Sequence, residues 1–272
     1  MNKQLLVVSD IAGYGKVALS VMIPVLSKLG VNVHNLPTAV VSNTLDYGKF
    51  EILDTTEFMG KTLSVWDELD FKFDAVTTGF VCNKDQVDMI VDYCKRPQNK
   101  DCLVFCDPIM GDEGSLYPGM DTSTIDNMRT LMSCADYVVP NYTEAALLTG
   151  HEYSSNPGSD EVRQIVDSLR ELGPRSVIVT SVLGDNTHYV SCYDHVEDRY
   201  FDIPFDNIDM RFPGTGDIFS AVLTAGILSG DTLYVSVSRA MNLVRSLIEK
   251  NLGCADAFRG IDIENCLDVI EL

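Results

Sequence analysis

Late in the chain, Pro213-Gly214-Thr215-Gly216-Asp217 opens an apolar stretch with a helical pattern. Two glycines let the backbone approach a ligand closely. The N–H groups of a helix's first turn have no partner inside the helix and form a ready anion site. Asp217 then places a carboxylate beside that anion, where it can take the proton of a substrate hydroxyl. A purely structural reading also holds: Asp complements the helix dipole and G-x-G makes a turn. Spacing alone leaves both open.

Two further segments follow strand-like runs. Asp107-Pro108-Ile109-Met110-Gly111-Asp112 carries two carboxylates, which can hold Mg²⁺ directly or through water, because that ion takes one or two carboxylates together with substrate phosphates. The plainer reading is an Asp-Pro turn with a helix-capping acid. In Pro140-Asn141-Tyr142-Thr143-Glu144, Asn141 and Glu144 have the spacing of an N-cap and its N3 partner. The same pair can position a metal-bound water near phosphate, since capping is expected to leave Glu144 partly facing solvent.

Two other motifs do not survive inspection. Gly13-Tyr14-Gly15-Lys16-Val17-Ala18 fits G-x-G-x-x-A. Its first glycine is expected several residues after the strand, and Val33-His34-Asn35 offers no ribose-binding acid, which argues against a dinucleotide-dependent oxidoreductase. Read as a P-loop, the segment has Asp10 for the first glycine and Val17 for the Ser/Thr. His34, His151, His188 and His195 fall in unrelated segments without metal spacing.

The elements that must position these residues alternate between strand and helix patterns. Strands are expected at 5–8, 31–36, 75–78, 102–106, 137–139 and 176–180, and helices at 16–29, 55–69, 85–94, 123–132, 142–148 and 161–172. Segments 187–193 and 198–203 read as an antiparallel pair, and helices at 218–228, 233–250 and 263–269 close the chain. Such alternation implies βαβ units and a mostly parallel sheet, whose ligands bind beyond the carboxyl ends of the strands. Cys102 and Cys106 share one strand face as small core residues. No linker, charge block or repeat divides the sequence, so one domain over 1–272 is expected.

Composition works by exclusion. With 272 residues, 46% apolar and 22% charged, the chain can bury a full core. Its net charge of -20 and lack of a basic stripe argue against nucleic acid as a partner. No apolar run reaches membrane-spanning length, and Met1-Asn2-Lys3-Gln4 leads straight into a strand pattern without a charged leader. A cytoplasmic protein is expected. The eight cysteines contain no C-x-x-C pair, so reduced thiols are expected rather than disulfides or a metal cluster. A chain this acidic attracts a nucleotide triphosphate only through local devices, namely helix N-termini and a divalent cation.

Taken in order, the segments resemble the ribokinase-like superfamily and, within it, the vitamin B6 kinase branch. The resemblance covers essentially the whole chain. It is carried by Ser9, Pro37-Thr38-Ala39-Val40-Val41-Ser42-Asn43-Thr44, Phe73-Asp74-Ala75-Val76-Thr77-Thr78-Gly79-Phe80, 107–112, 140–145 and 214–217. The fold it implies is an α/β three-layer sandwich, a mostly parallel central sheet flanked by helices with a small antiparallel edge hairpin. The activity it implies is ATP-dependent phosphorylation of the hydroxymethyl group of pyridoxal, pyridoxamine or pyridoxine. The alternative is a kinase of hydroxymethylpyrimidine, a thiamine precursor, or another ribokinase-like small-molecule kinase.

The same resemblance implies roles for single residues. Asp217 is the general base and contacts the substrate; Gly214, Thr215 and Gly216 form the anion hole. Asp107, Asn141, Glu144, Thr180 and Ser181 bind the nucleotide, while Asp107, Asp112 and Glu144 hold Mg²⁺ directly or through water. Ser9, Thr44 and Phe80 contact the substrate ring. A monovalent cation such as K⁺ and a homodimer are also implied. Two departures bear on the choice of vitamer: Ser9-Asp10 stands where many members have Ser-His, and Ser42-Asn43-Thr44-Leu45 where many have Ser-Asn-His-Thr.

Overall fold

A computed structural model describes residues 3–271, which divide into two compact units, one of 3–82 with 208–271 and one of 83–207. The first unit begins with β1 (Gln4–Tyr14), α1 (Leu19–Lys28), β2 (Asn32–Asn43), β3 (Ile52–Asp54), α2 (Thr56–Glu68) and β4 (Ala75–Thr78). The second holds α3 (Lys84–Cys94), β5 (Leu103–Cys106), β6 (Gly111–Asp112), β7 (Ser115–Leu116), α4 (Thr122–Met132) and β8 (Tyr137–Val138). It continues with α5 (Tyr142–Thr149), α6 (Ser159–Glu171), β9 (Ser176–Gly184), β10 (Thr187–Asp194) and β11 (Arg199–Phe205). The chain then returns to the first unit as α7 (Thr215–Ser229) and α8 (Leu233–Asn251).

In the first unit the strands run β4-β1-β2-β3, with β1 parallel to both β2 and β4 and the short β3 antiparallel to β2. Leu5, Leu6, Val7 and Val8 are all buried, as a strand covered on both faces requires. α1 packs on α7, and α7 on α8. A Cβ at Gly226 would lie 2.7 Å from Ser236 Oγ, so the glycine sets how closely α7 and α8 approach. α7 is buried almost all round, which explains its continuous apolar sequence.

In the second unit β5, β8 and β9 are parallel, while β10 adds antiparallel to β9 and β11 antiparallel to β10. The expected antiparallel pair is present as β10 and β11, and β9 joins it to make a three-stranded meander. β6 and β7 form a separate two-residue hairpin, turned by Glu113 and Gly114 at φ 50° and 81°.

Several boundaries differ from the sequence expectation. The first strand runs on to Tyr14 and the second to Asn43, because each pairs with the other past Ser9 and Pro37. Gly13 therefore lies inside a strand, which corrects the position argued for it above. The first helix starts at Leu19 rather than 16, since Ala18 at φ 48° cannot continue a right-handed helix. The expected helix over 263–269 is two 3₁₀ turns, Ile263–Asn265 and Leu267–Val269, separated by Cys266 at φ -121°. Cys102 precedes β5 and is only half-buried, so Cys106 alone belongs to the strand core. Among the described residues, no helix is long and apolar enough to cross a membrane.

Candidate active site

α7 begins at an N-cap glycine, Gly214, with φ 87° and no side-chain cap. Its first helical bond runs from the Ile218 N–H to the Gly214 carbonyl at 3.0 Å. The N–H groups of Thr215, Gly216 and Asp217 therefore precede the ladder and have no acceptor within it. Gly214 is pressed against the 16–17 backbone, where a Cβ would overlap the Lys16 carbonyl oxygen. At Gly216 a Cβ would meet nothing within 4 Å, so the space beside that residue is open. The Thr215 hydroxyl donates back to the Phe212 carbonyl at 3.1 Å, leaving its amide as the group that faces forward.

Asp217 is fixed by a contact from the other end of the sequence. The Ala18 N–H donates to Asp217 Oδ2 at 2.8 Å, so the carboxylate caps α1 in place of a side chain from α1's own N-cap. Ala18 holds a left-handed φ, a conformation that costs a non-glycine residue about 1 kcal/mol or more. One carboxylate oxygen is thus committed and the other is free to accept a proton. Burial pushes Asp217 up to about 6, against the pull of the Ala18 N–H.

Ser9 is fully buried on β1, and its hydroxyl lies 3.5 Å from Asp10 Oδ1. Between the pairs Ser9–Pro37 and Ile11–Val40, two residues of β2 oppose the single Asp10, so the ladder bulges there. Burial, and then the charge of Asp217, push Asp10 up to about 7, against its own N–H and the Ser9 hydroxyl. The sequence marked Asp10 only as a departure bearing on the choice of vitamer; its burial and the charge of Asp217 beside it come from the fold.

The other expected substrate contacts differ in their freedom. Thr44 is buried, its hydroxyl donates to the Phe258 carbonyl at 2.6 Å, and its methyl group packs on Gly15. Its hydrogen is committed to that carbonyl, which leaves only the oxygen lone pairs for a ligand. Phe80 is half-buried; its carbonyl accepts from the Thr38 hydroxyl at 2.7 Å, and its ring takes part in no aromatic pair among the described residues.

The second unit gathers the expected nucleotide residues at the ends of its parallel strands. Asp107 follows β5, Asn141 follows β8, and Thr180 lies beside Asn141 in an isolated parallel bridge. Thr180 does not end its strand, as the sequence suggested. β9 continues to Gly184, with Thr180 and Ser181 together opposing Val190 in a bulge where Ser181 has φ 59°. Asn141 Oδ1 accepts from the Glu144 N–H at 2.9 Å and its Nδ2 donates to the Gly111 carbonyl at 2.8 Å.

Glu144 corrects the expectation of a solvent-facing carboxylate: it is only 3% exposed. It accepts from the N–H groups of Asn141 at 2.9 Å, Met110 at 3.0 Å and Gly111 at 3.5 Å, so it closes the capping box and anchors the 110–111 backbone as well. Burial, and then the charge of Asp107, push its carboxyl well above the usual range. Glu144→Ala leaves those donors unpaired and should cost about 2–4 kcal/mol of stability in urea unfolding. Glu144→Gln keeps an acceptor oxygen and should cost about 1 kcal/mol.

The set proposed for Mg²⁺ is narrowed by these bonds. Among the described residues, no group of three His, Cys, Asp or Glu side chains gathers closely enough to hold a metal ion. Both Glu144 oxygens are spent on amides, and Asp112 Oδ1 takes the Glu113 N–H at 2.9 Å. Half-buried Asp107 at its strand end fits an ion that keeps most of its waters and takes its other ligands from phosphate; Glu144 fits only through water.

With this geometry in view, the comparisons with known proteins acquire a meaning. The sequence pattern of the phosphomethylpyrimidine kinase family matches residues 23–261. A pyridoxal kinase of Ovis aries is 26% identical over 272 residues, covering 91% of this chain and 85% of its own length. A Bacteroides thetaiotaomicron protein assigned to the phosphomethylpyrimidine kinases was crystallised with pyridoxal. It superposes with a TM-score of 0.93 at 34% identity, covering 99% of this chain and 96% of its own. The pyridoxal kinase of Leishmania donovani, solved with ADP and pyridoxamine, superposes with a TM-score of 0.85 at 25% identity, covering 99% and 96%.

Proposed function

This chain belongs to the phosphomethylpyrimidine kinase family, and we propose that it transfers the γ-phosphoryl group of ATP to the hydroxymethyl group of a vitamin B6 vitamer, giving the 5′-phosphate and ADP. It has the ribokinase-like α/β fold, and among its relatives are pyridoxal kinases from mammals and bacteria. The observation that carries the reading is the start of α7, where three amides without helical acceptors stand beside a carboxylate held by the Ala18 N–H. The family's own description keeps hydroxymethylpyrimidine as the second acceptor to be tested.

In this mechanism Asp217 takes the proton of the substrate hydroxymethyl group as its oxygen attacks the γ-phosphorus in line. The amides of Gly214, Thr215 and Gly216 stabilise the charge on the transferring phosphoryl group. Phosphoryl transfer asks mainly for such positioning and charge stabilisation. When bound, Mg²⁺ would neutralise the phosphate charge, and Asp107 would hold it directly or through water. Asn141, Thr180 and Ser181 serve the nucleotide, and Asn141 together with Glu144 sets the 110–111 backbone by its own bonds. Ser9 and the Phe80 ring face the B6 ring. The full 1–272 span acts as one cytoplasmic kinase domain in this reading, as a homodimer, with K⁺ as an accessory cation.

A base that gains its proton near pH 6 makes the acid limb of the rate profile predictable. kcat/KM should be level above pH 7.5 and fall tenfold per pH unit well below about 6. The stability contribution has the opposite sign. Asp217 and Asp10 hold protons more tightly folded than unfolded, where their ordinary value is 3.8. These two carboxyls therefore favour the folded state increasingly as pH falls from about 7 toward 4. A rate profile recorded beside thermal melts separates the two: activity should be lost on the acid side before the folded state is. An acid limb that merely tracks unfolding would remove Asp217 from this role.

A further inference from the structure

Asp10 is a carboxylate that the reaction above does not use. It is 9% exposed, stands opposite the β1–β2 bulge, and is close enough to Asp217 for the two charges to repel. Neither takes part in an ion pair among the described residues. The cations of the neighbouring segments are engaged elsewhere: Lys16 pairs with Glu264, and Arg259 with Asp262 at 3.7 Å. Only its own N–H and the Ser9 hydroxyl at 3.5 Å attend the Asp10 carboxylate. Two adjoining carboxylates with no cation between them are relieved either by a proton or by a positively charged ligand.

The chemistry of the proposed substrates says which ligand fits. All B6 vitamers carry the reacting hydroxymethyl group at one ring carbon, and the group that distinguishes them at the next. That second group is an alcohol in pyridoxine, an aldehyde in pyridoxal and an aminomethyl in pyridoxamine. The amine, like that of Lys, is an ammonium ion at neutral pH. Two neighbouring carboxylates thus face two neighbouring substituents, one that gives up a proton and one that carries positive charge.

We propose that Asp10 is a specificity-determining residue that binds the ammonium group of an aminomethyl substrate, pyridoxamine, next to the hydroxyl that Asp217 deprotonates. This rests on the B6 kinase reading above. The raised proton affinity of Asp10 agrees with it, since an arriving ammonium replaces the proton and restores the charge-assisted bond.

The test is the ratio of kcat/KM for pyridoxamine to that for pyridoxine, measured at pH 8 in wild type and in Asp10→Asn. A hydrogen bond to a charged group predicts a wild-type ratio of about 10–100 in favour of pyridoxamine, and an equal fall in the variant. Loss of fold or of general activity lowers both numbers and leaves their ratio unmoved, so a structural role does not imitate the result. An unchanged ratio in Asp10→Asn overturns the inference, as does a wild type that prefers neither vitamer. A variant that alters only the K⁺ or Mg²⁺ requirement also overturns it, in favour of an inorganic cation. Wild type that phosphorylates no vitamer defeats the underlying reading, whereas equal turnover of pyridoxine and pyridoxamine defeats this inference alone.

Discussion

Asp217→Asn should lower kcat for B6 vitamers by about 10²–10⁴-fold while the protein still folds and still binds ATP. The variant is isosteric and keeps an oxygen to accept the Ala18 N–H at 2.8 Å, so the start of α1 remains capped. What it loses is the basic oxygen. Removing a charge that partial burial disfavours, and that also acts on Asp10, relieves an electrostatic cost, so the melting temperature should hold or rise. Calorimetric titration with ATP, run beside the activity assay, distinguishes a lost base from a lost fold. Turnover within a factor of a few of wild type would assign the proton transfer to another group.

Gly214→Ala should be the second most damaging change, and for a different reason. The residue holds φ 87°, and a Cβ there overlaps the Lys16 carbonyl oxygen, so α7 cannot begin where it does. Left-handed strain costs about 1–2 kcal/mol, and displacing an oxyanion donor costs on the order of 3 kcal/mol of transition-state stabilisation. kcat should fall by about 10²-fold or more, together with a lower melting temperature. Gly216→Ala is the informative control. Its Cβ meets nothing within 4 Å and its φ is ordinary, so stability should be kept. If the phosphoryl group occupies the open space in front of these amides, that methyl group obstructs it and kcat falls without a change in melting temperature. Full activity in Gly216→Ala would move the phosphate away from α7.

The comparison of sequence with structure divides along one line, the distance in sequence over which a contact acts. The α7 start was legible because G-x-G-D encodes its own turn, and the capping box of Asn141 and Glu144 because N-cap and N3 lie three residues apart. The buried strand β5 announced itself by an unbroken apolar run. β3 did not, since all three of its residues are exposed and only pairing with β2 makes it a strand. The lengths of β1 and β2 were likewise set by their partnership, past a Pro37 that locally reads as a stop.

The site shows the same division. That Glu144 is buried follows from its bonds to Met110 and Gly111, which no local pattern carries. Thr44 gives its hydroxyl hydrogen to Phe258, 214 residues away, and so has less to offer a substrate than its position in the motif suggests. The bulges opposite Asp10 and at Thr180-Ser181 are facts of register, visible only once the strands are paired. Both fall beside residues with proposed functions, where bulges commonly re-aim side chains. The charge of Asp217 acting on Asp10 is the most consequential long-range effect of this kind, because the two lie 207 positions apart in the sequence.

Phosphorylation of vitamin B6 is read by ADP release, measured with the purified chain, MgATP and a panel of pyridoxal, pyridoxamine, pyridoxine, hydroxymethylpyrimidine and ribose. B6 vitamers should stimulate release, pyridoxamine most strongly, and Asp217→Asn should abolish it. Stimulation by hydroxymethylpyrimidine or ribose with none by any vitamer would contradict this expectation.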